Sequence, residues 1–151
     1  MLKTVISDTS CLIILSNIGE LEILHKLYAK ILTTNEVARE FGEKLPDWIN
    51  INDVSDKHKQ KILELLVDSG EASVIALALE NVGSTLILDD HKARKIANQL
   101  SISFTGTIGV IVKAKLEGII PSIKPILDKI KETNFRISLD VELQALKLTN
   151  E

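Results

Sequence analysis

Aromatic side chains and cysteine are scarce in this chain. Of its 151 residues, 3% are aromatic, and Cys11 is the single cysteine. An internal disulfide is therefore excluded, and the core must be built mainly from Ile, Leu, Val and Ala. Because an unpaired cysteine is typical of proteins kept in a reducing compartment, we expect a cytoplasmic protein.

Long hydrophobic runs are also lacking. No stretch approaches the roughly 20 apolar residues that span a bilayer, and the N-terminus has none of the features of a secretory signal. Hydrophobic residues make up 45% of the chain and charged residues 26%, which is ordinary for a globular protein. The length suits one domain, which we place at residues 1–151, and we expect that domain to be soluble.

An excess of basic residues is missing as well. The net charge is −3 and the isoelectric point is about 5.7. Strong nonspecific binding to nucleic acid is therefore not expected, although a local basic strip would still be able to contact phosphates.

Short β-branched segments alternate with helical patterns along the whole chain. Strands separated by helices form parallel sheets that are covered on both faces. We therefore predict an α/β sandwich with a central, mostly parallel sheet of four or five strands. The predicted strands are 2–7, 30–33, 48–51, 85–88 and 102–104. The predicted helices are 10–18, 20–28, 34–42, 55–67, 71–80, 90–100, 106–117, one starting at 121, and 138–148.

Acidic residues stand at the ends of two predicted strands and on two predicted helices. Asp8 follows the first strand, and the pair Asp89 and Asp90 follows the strand at 85–88. Parallel sheets place ligand sites beyond the C-terminal ends of their strands. Glu71 opens the most apolar helix of the chain, and Glu40 lies on a short helix. These positions are the candidate site.

Each acid also has a structural interpretation. Asp8 and one of Asp89 and Asp90 are suited to cap helices, Glu71 is suited to the positive end of a helix dipole, and Glu40 is suited to a solvated helix surface. If the acids converge, however, their charges repel one another and require a counter-ion. An oxygen-only set without paired His or Cys favours Mg²⁺ or Mn²⁺ over zinc.

Five stretches of the chain form a pattern by their order and spacing, although no single one is decisive. They are Asp8-Thr9-Ser10, Val37-Ala38-Arg39-Glu40-Phe41, Gly70-Glu71-Ala72, Leu88-Asp89-Asp90-His91-Lys92-Ala93-Arg94-Lys95-Ile96-Ala97 and Thr105-Gly106-Thr107-Ile108-Gly109. Taken in this order, they resemble the PIN-domain family over nearly the whole chain.

The resemblance implies a metal-dependent endoribonuclease akin to VapC-type toxins, which cleaves RNA with a metal-activated water. It implies Mg²⁺ or Mn²⁺, an RNA substrate, a small antitoxin protein as partner, and a homodimer. By position, Asp8 matches the first-strand carboxylate, Glu40 matches the helix carboxylate with Glu36 as the alternative register, and Glu71 stands where many members have Asp. Asp90 matches the fourth carboxylate best, with Asp89 beside it.

Other interpretations of the same residues remain open. The chain is alternatively a catalytically silent PIN-like module that binds a partner protein, or a phosphoryl-transfer domain with Asp8 as an aspartyl nucleophile. The basic residues after the Asp pair, Lys92, Arg94 and Lys95, either contact RNA phosphates or form a solvated helix surface.

Overall fold

The computed structural model describes residues 3–151. Residues 1 and 2, which our first strand and our domain boundary include, lie outside the described residues. The elements are β1 (Thr4–Ser7), α1 (Thr9–Asn17), α2 (Glu22–Leu27), β2 (Lys30–Thr33), α3 (Asn35–Phe41), β3 (Ile49–Ile51), α4 (Lys57–Leu63), α5 (Ser69–Glu80), β4 (Thr85–Ile87), α6 (His91–Gln99), β5 (Ser103–Thr105), α7 (Thr107–Leu116), α8 (Lys124–Lys131) and α9 (Leu139–Leu148).

The five strands form one sheet in the order β3-β2-β1-β4-β5, and every neighbouring pair is parallel. The central strand β1 pairs Ile6 with Leu32 on one side and with Leu86 on the other. This confirms the predicted α/β fold with five strands. Because all the strands run in the same direction, their C-terminal ends lie at one edge of the sheet, with β1 at its centre.

Helix α5 and the two central strands carry much of the core. Val5, Ile6, Leu86 and Ile87 are fully buried, and α5 buries its residues from 72 to 78. Burying one such aliphatic side chain contributes about 1.5–3 kcal/mol. The prediction that the helix beginning near Glu71 is deeply buried is therefore confirmed. Within residues 3–151, no helix has the length and hydrophobicity needed to cross a bilayer.

Two helices differ from their predicted limits by more than two residues at one end. Helix α4 ends at Leu63 rather than at 67. The sequence predicts an apolar stripe of Ile62, Leu63 and Leu66 on this helix, and that prediction is wrong, because Ile62 and Leu66 are 63% and 48% exposed while Leu63 is buried. Helix α8 starts at Lys124 rather than at 121. There the carboxylate of Glu151 accepts the N–H of Ile123 at 2.9 Å and so fixes the start of the helix.

Helix α5 starts at Ser69, two residues before the predicted start. The side chain of Asp68 accepts the backbone N–H of Glu71 at 2.8 Å and caps the helix. Ser69 and Gly70, which we expected to separate two elements, therefore form its first turn.

A buried hydroxyl pair joins α3 to α5. Thr34 Oγ1 caps α3 by accepting the N–H of Val37 at 3.2 Å, and it lies 2.6 Å from Ser73 Oγ on α5. Since Ser73 Oγ donates to the carbonyl of Gly70 at 2.7 Å, the proton between the two hydroxyls comes from Thr34. This contact holds the helix that carries Glu40 against the helix that carries Glu71.

We expect Thr34→Val to lower the free energy of unfolding by about 1–3 kcal/mol, because it removes a helix cap and a buried hydrogen bond while keeping the side-chain volume. Urea titration followed by circular dichroism measures this change. The exposed Ser55 provides a control, since Ser55→Ala should stay within about 0.5 kcal/mol of the unmodified protein. An unchanged urea midpoint for Thr34→Val would show that the contact does not stabilise the fold.

Candidate metal centre

Asp8 occupies the N-cap position of α1 but does not cap it. Its backbone is extended, its N–H donates to the carbonyl of Ile87 at 3.0 Å, and its side chain makes no cap hydrogen bond. The side chain is only 7% exposed. A carboxylate at the end of the central strand is therefore left free of the capping role that its position suggests.

Glu40 lies beside Asp8, whereas Glu36 does not. Glu40 Oε1 accepts a hydrogen bond from Thr9 Oγ1 at 3.1 Å, and a Cβ added at Gly70 would overlap the same oxygen. Glu36, one turn earlier, accepts a hydrogen bond from Gln60 of α4. The structure thus brings Glu40 to the strand ends and directs Glu36 elsewhere. Which of the two binds metal stays a prediction.

Asp89 and Asp90 are held by different helices. Asp89 accepts from the backbone N–H of Thr107 at 2.9 Å and from its hydroxyl at 2.5 Å, at the start of α7. Asp90 accepts the N–H of Ala93 at 2.9 Å and caps α6. The cap interpretation is therefore correct for Asp90, although one of its oxygens makes no such bond.

Asp68 is an acid at this site that the sequence patterns did not reveal. It caps α5 and lines a shallow depression together with Glu71 and Asp90. The available signal was an Asp directly before an apolar helix, which is typical of an N-cap. The expected helix start at Glu71 concealed that signal.

The pKa values of two acids report how close these groups are. Burial, followed by the charges of Asp68, Glu40 and Asp89, raises the pKa of Asp8 to about 7. Burial, followed by the charges of Asp68, Asp90 and Asp8, raises the pKa of Glu71 to about 7. Asp68 thus acts on both, and one connected set results. We call it the carboxylate cluster: Asp8, Glu40, Asp68, Glu71, Asp89 and Asp90.

Within residues 3–151 the carboxylate cluster forms no salt bridge, although Lys92 lines the same depression as three of its members, Asp68, Glu71 and Asp90. Acids elsewhere do find lysines, as Asp53 does with Lys57 at 2.5 Å. Also within residues 3–151, no three His, Cys, Asp or Glu side chains stand close enough to form a ready-made metal cage. The cluster is therefore open as well as negatively charged.

An open set of oxygen donors fits a hard divalent cation. Mg²⁺ is usually held by one or two carboxylates together with waters and substrate phosphates, so it does not require a closed protein cage. A thiolate ligand is not provided, because burial raises the pKa of the Cys11 thiol above its usual range. The donor chemistry thus fits Mg²⁺ or Mn²⁺ and does not fit a structural zinc ion.

Residues 4–151 match the family model DUF3368, a PIN domain. No curated protein matches the chain significantly. PIN domains are typically nucleases that use divalent metals, and the five-stranded parallel sheet with flanking helices is PIN-like. The narrower resemblance to VapC-type toxins stays a prediction. Because the family model matches almost the full length of the chain, this chain belongs to the PIN-domain family.

Proposed function

We propose that this PIN domain is a Mg²⁺- or Mn²⁺-dependent endoribonuclease that acts at the carboxylate cluster. The observation that supports this most is electrostatic. Six carboxylates share the C-terminal edge of a parallel sheet without a salt bridge to a cation within residues 3–151, and the pKa values of Asp8 and Glu71 are both raised to about 7. A bound cation would relieve the repulsion among these carboxylates, so the site is suited to metal-dependent phosphodiester chemistry.

The residues that would hold the metal are Asp8, Glu71, Asp89 and Asp90, joined by Glu40 and by Asp68. When bound, the ion supplies positive charge for the phosphodiester and lowers the pKa of a water that serves as nucleophile. Thr9 and Thr107 donate hydrogen bonds to Glu40 and Asp89. These bonds orient two carboxylates without adding a positive charge that would compete with the metal.

The alternative of an aspartyl nucleophile receives less support. The pKa of Asp8 is raised to about 7. At neutral pH the Asp8 carboxyl group is therefore protonated, and not nucleophilic, in about half of the molecules. A phosphoryl-transfer domain with such a nucleophile would also need Mg²⁺, and acids spread over several elements suit a metal site better than a lone nucleophile. A silent protein-binding module differs from the proposed enzyme because it does not cleave RNA, and an RNA-cleavage assay measures that difference.

The resemblance at Thr105–Gly109 extends the proposal to a toxin that a small antitoxin protein inhibits and that forms a homodimer. Growth arrest on expression of the chain, absent for Asp8→Asn, is the corresponding measurement. If cells that express the unmodified chain and cells that express Asp8→Asn grow equally well, the toxin role is contradicted and the nuclease proposal is not affected.

We expect the protein with Mn²⁺ to cleave a single-stranded RNA that carries a fluorophore and a quencher, and Asp8→Asn to lower kcat/KM at least about 100-fold. That factor corresponds to about 2.7 kcal/mol of lost transition-state stabilisation. Cleavage by the unmodified protein should stop on addition of EDTA. Single-stranded DNA and double-stranded RNA of the same sequence show whether the substrate is RNA and single-stranded.

The control variant is Asp128→Asn, which removes an exposed carboxylate from α8 and should leave kcat/KM unchanged. Both variants must give the same circular dichroism spectrum as the unmodified protein. Full activity of Asp8→Asn would contradict the role of Asp8, and no cleavage by the unmodified protein would favour the silent module.

We expect Mn²⁺ affinity to fall as the pH falls below 7. Metal ligands must be deprotonated, and the pKa values of Asp8 and Glu71 both lie at about 7. Each proton that must leave weakens binding about tenfold per pH unit below that value, so affinity at pH 6 should be about 10- to 100-fold weaker than at pH 8.

Isothermal titration calorimetry in two buffers with different ionisation enthalpies measures the affinity and the number of protons released. Asp8→Asn should release about half a proton fewer at pH 7, because Asp8, with a pKa of about 7, is half protonated there. An affinity that does not change between pH 6 and pH 8 would show that neither carboxyl group binds the ion.

A further inference from the structure

A cleft of about 570 Å³ begins at Asp89 and extends away from the carboxylate cluster. It lies between the end of β5, helix α7 and helix α9, and its walls include Arg94, Phe104, Phe135 and Arg136. The volume falls within the range of about 300–1,000 Å³ that is usual for small-ligand sites. The cleft therefore has room for a nucleobase with its sugar, next to the proposed cleavage site.

Arginine and phenylalanine are concentrated in this cleft. The chain has three arginines and three phenylalanines, and two of each line the cleft, whereas no lysine of residues 3–151 does so. A planar guanidinium binds phosphate with two parallel hydrogen bonds and stacks on rings, which an ammonium does not. These guanidinium groups and rings are suited to the phosphate and the base of single-stranded nucleic acid. The rest of the wall is largely aliphatic, with Ile108, Val112, Ile137, Val141, Ala145 and Leu148.

The guanidinium of Arg94 is fixed by uncharged partners. Its Nε donates to the carbonyl of Leu88 at 2.6 Å, and its Cζ lies 5.3 Å from the centre of the Phe104 ring. A Cβ added at Gly106 would overlap Nη2, so the glycine at this position permits the close approach. The side chain is therefore held in one place before any ligand arrives.

Within residues 3–151 Arg94 forms no salt bridge, although it is a neighbour of Asp89: the Cβ added at Gly106 would overlap Arg94 Nη2 and lie 2.7 Å from Asp89 Oδ1. None of the ion pairs in the described part of the chain includes Arg94 or Arg136. Within residues 3–151, the Arg94 side chain makes its hydrogen bond through Nε, and its terminal nitrogens make none. A half-buried cation with free donors would gain from a phosphate, and the neighbouring cluster would hold the phosphodiester to be cut.

We propose that this cleft binds the nucleotide next to the cleaved phosphodiester of a single-stranded RNA. Arg94 and Arg136 contact the flanking phosphate, and Phe104 and Phe135 contact its base. The inference rests on the proposed nuclease function and names where the substrate lies. It accounts for RNA binding by a chain with a net charge of −3, because the positive charge needed is local.

The test measures the affinity of a fluorescein-labelled single-stranded RNA decamer by anisotropy, with EDTA present so that no cleavage occurs. We expect Arg94→Gln to weaken binding about tenfold, which corresponds to the loss of one charge-assisted phosphate contact. Arg136→Gln should weaken it about threefold, because Arg136 is exposed and its contact is more strongly screened. Each change should also make the dependence of affinity on salt less steep.

The matched control is Lys95→Gln, which removes one positive charge from the same helix at an exposed position outside the cleft. We expect it to change affinity by less than about twofold. Phe135→Leu keeps an apolar wall but removes the ring, and it should weaken binding about fivefold or more, because the base loses its stacking partner. Thermal melting of each variant checks that it folds, and Arg136→Gln tests the cleft even if Arg94→Gln does not fold.

The outcomes separate this inference from the nuclease proposal. If the unmodified protein cleaves RNA but Arg94→Gln, Arg136→Gln and Lys95→Gln all bind it equally well, the cleft is not the subsite and serves another partner, such as a protein segment. If the arginine and phenylalanine variants lose RNA affinity but the unmodified protein never cleaves RNA with Mn²⁺, the subsite holds and the nuclease proposal fails. Calorimetry with Mn²⁺ alone should give the same affinity for Arg136→Gln and the unmodified protein, because Arg136 is exposed.

Discussion

The burial of mutually repelling carboxylates at one edge of the sheet is the constraint on which the rest of this structure depends. Burial, and after it repulsion, raises the pKa values of Asp8 and Glu71. Between the unfolded values of 3.8 for Asp8 and 4.5 for Glu71 and the folded values of about 7, the folded chain holds protons that the unfolded chain has lost. The free energy of unfolding of the metal-free protein therefore falls as pH rises through this window, and the loss is complete above pH 7. The buried core of β1, β4 and α5 must offset that loss.

Parallel strand order explains why these acids meet. Asp8 and Asp89 lie more than 80 residues apart in sequence but follow neighbouring strands, β1 and β4, whose C-terminal ends share one edge of the sheet. Uncharged contacts then fix the acids without neutralising them: Thr9 binds Glu40, Thr107 binds Asp89, and backbone amides bind Asp68 and Asp90. The fold thus orients negative charge and leaves it available for a cation.

The sequence allowed the sheet and the two strand-end acids to be predicted, because both depend on local patterns. Alternating strands and helices imply a parallel sheet, and parallel sheets place Asp8 and the Asp89–Asp90 pair at one edge. Two features depended on packing and were beyond those patterns. The packing of α3 against α1 and α5 determines that Glu40, and not Glu36, lies at the site. The start of α5 at Ser69 places Asp68 at the site as the helix cap.

The position of Arg94 shows how a negatively charged domain would accommodate a negatively charged substrate. A cation paired directly with the carboxylate cluster would compete with a metal ion. Arg94 instead stands just beyond Asp89, held by the Leu88 carbonyl and the Phe104 ring. Its charge is thus available to a phosphate one nucleotide away, while no salt bridge within residues 3–151 ties it to the cluster. The motif of Asp89 and Asp90 followed by Arg94 then combines two opposite charges at fixed separation, one for metal and one for substrate.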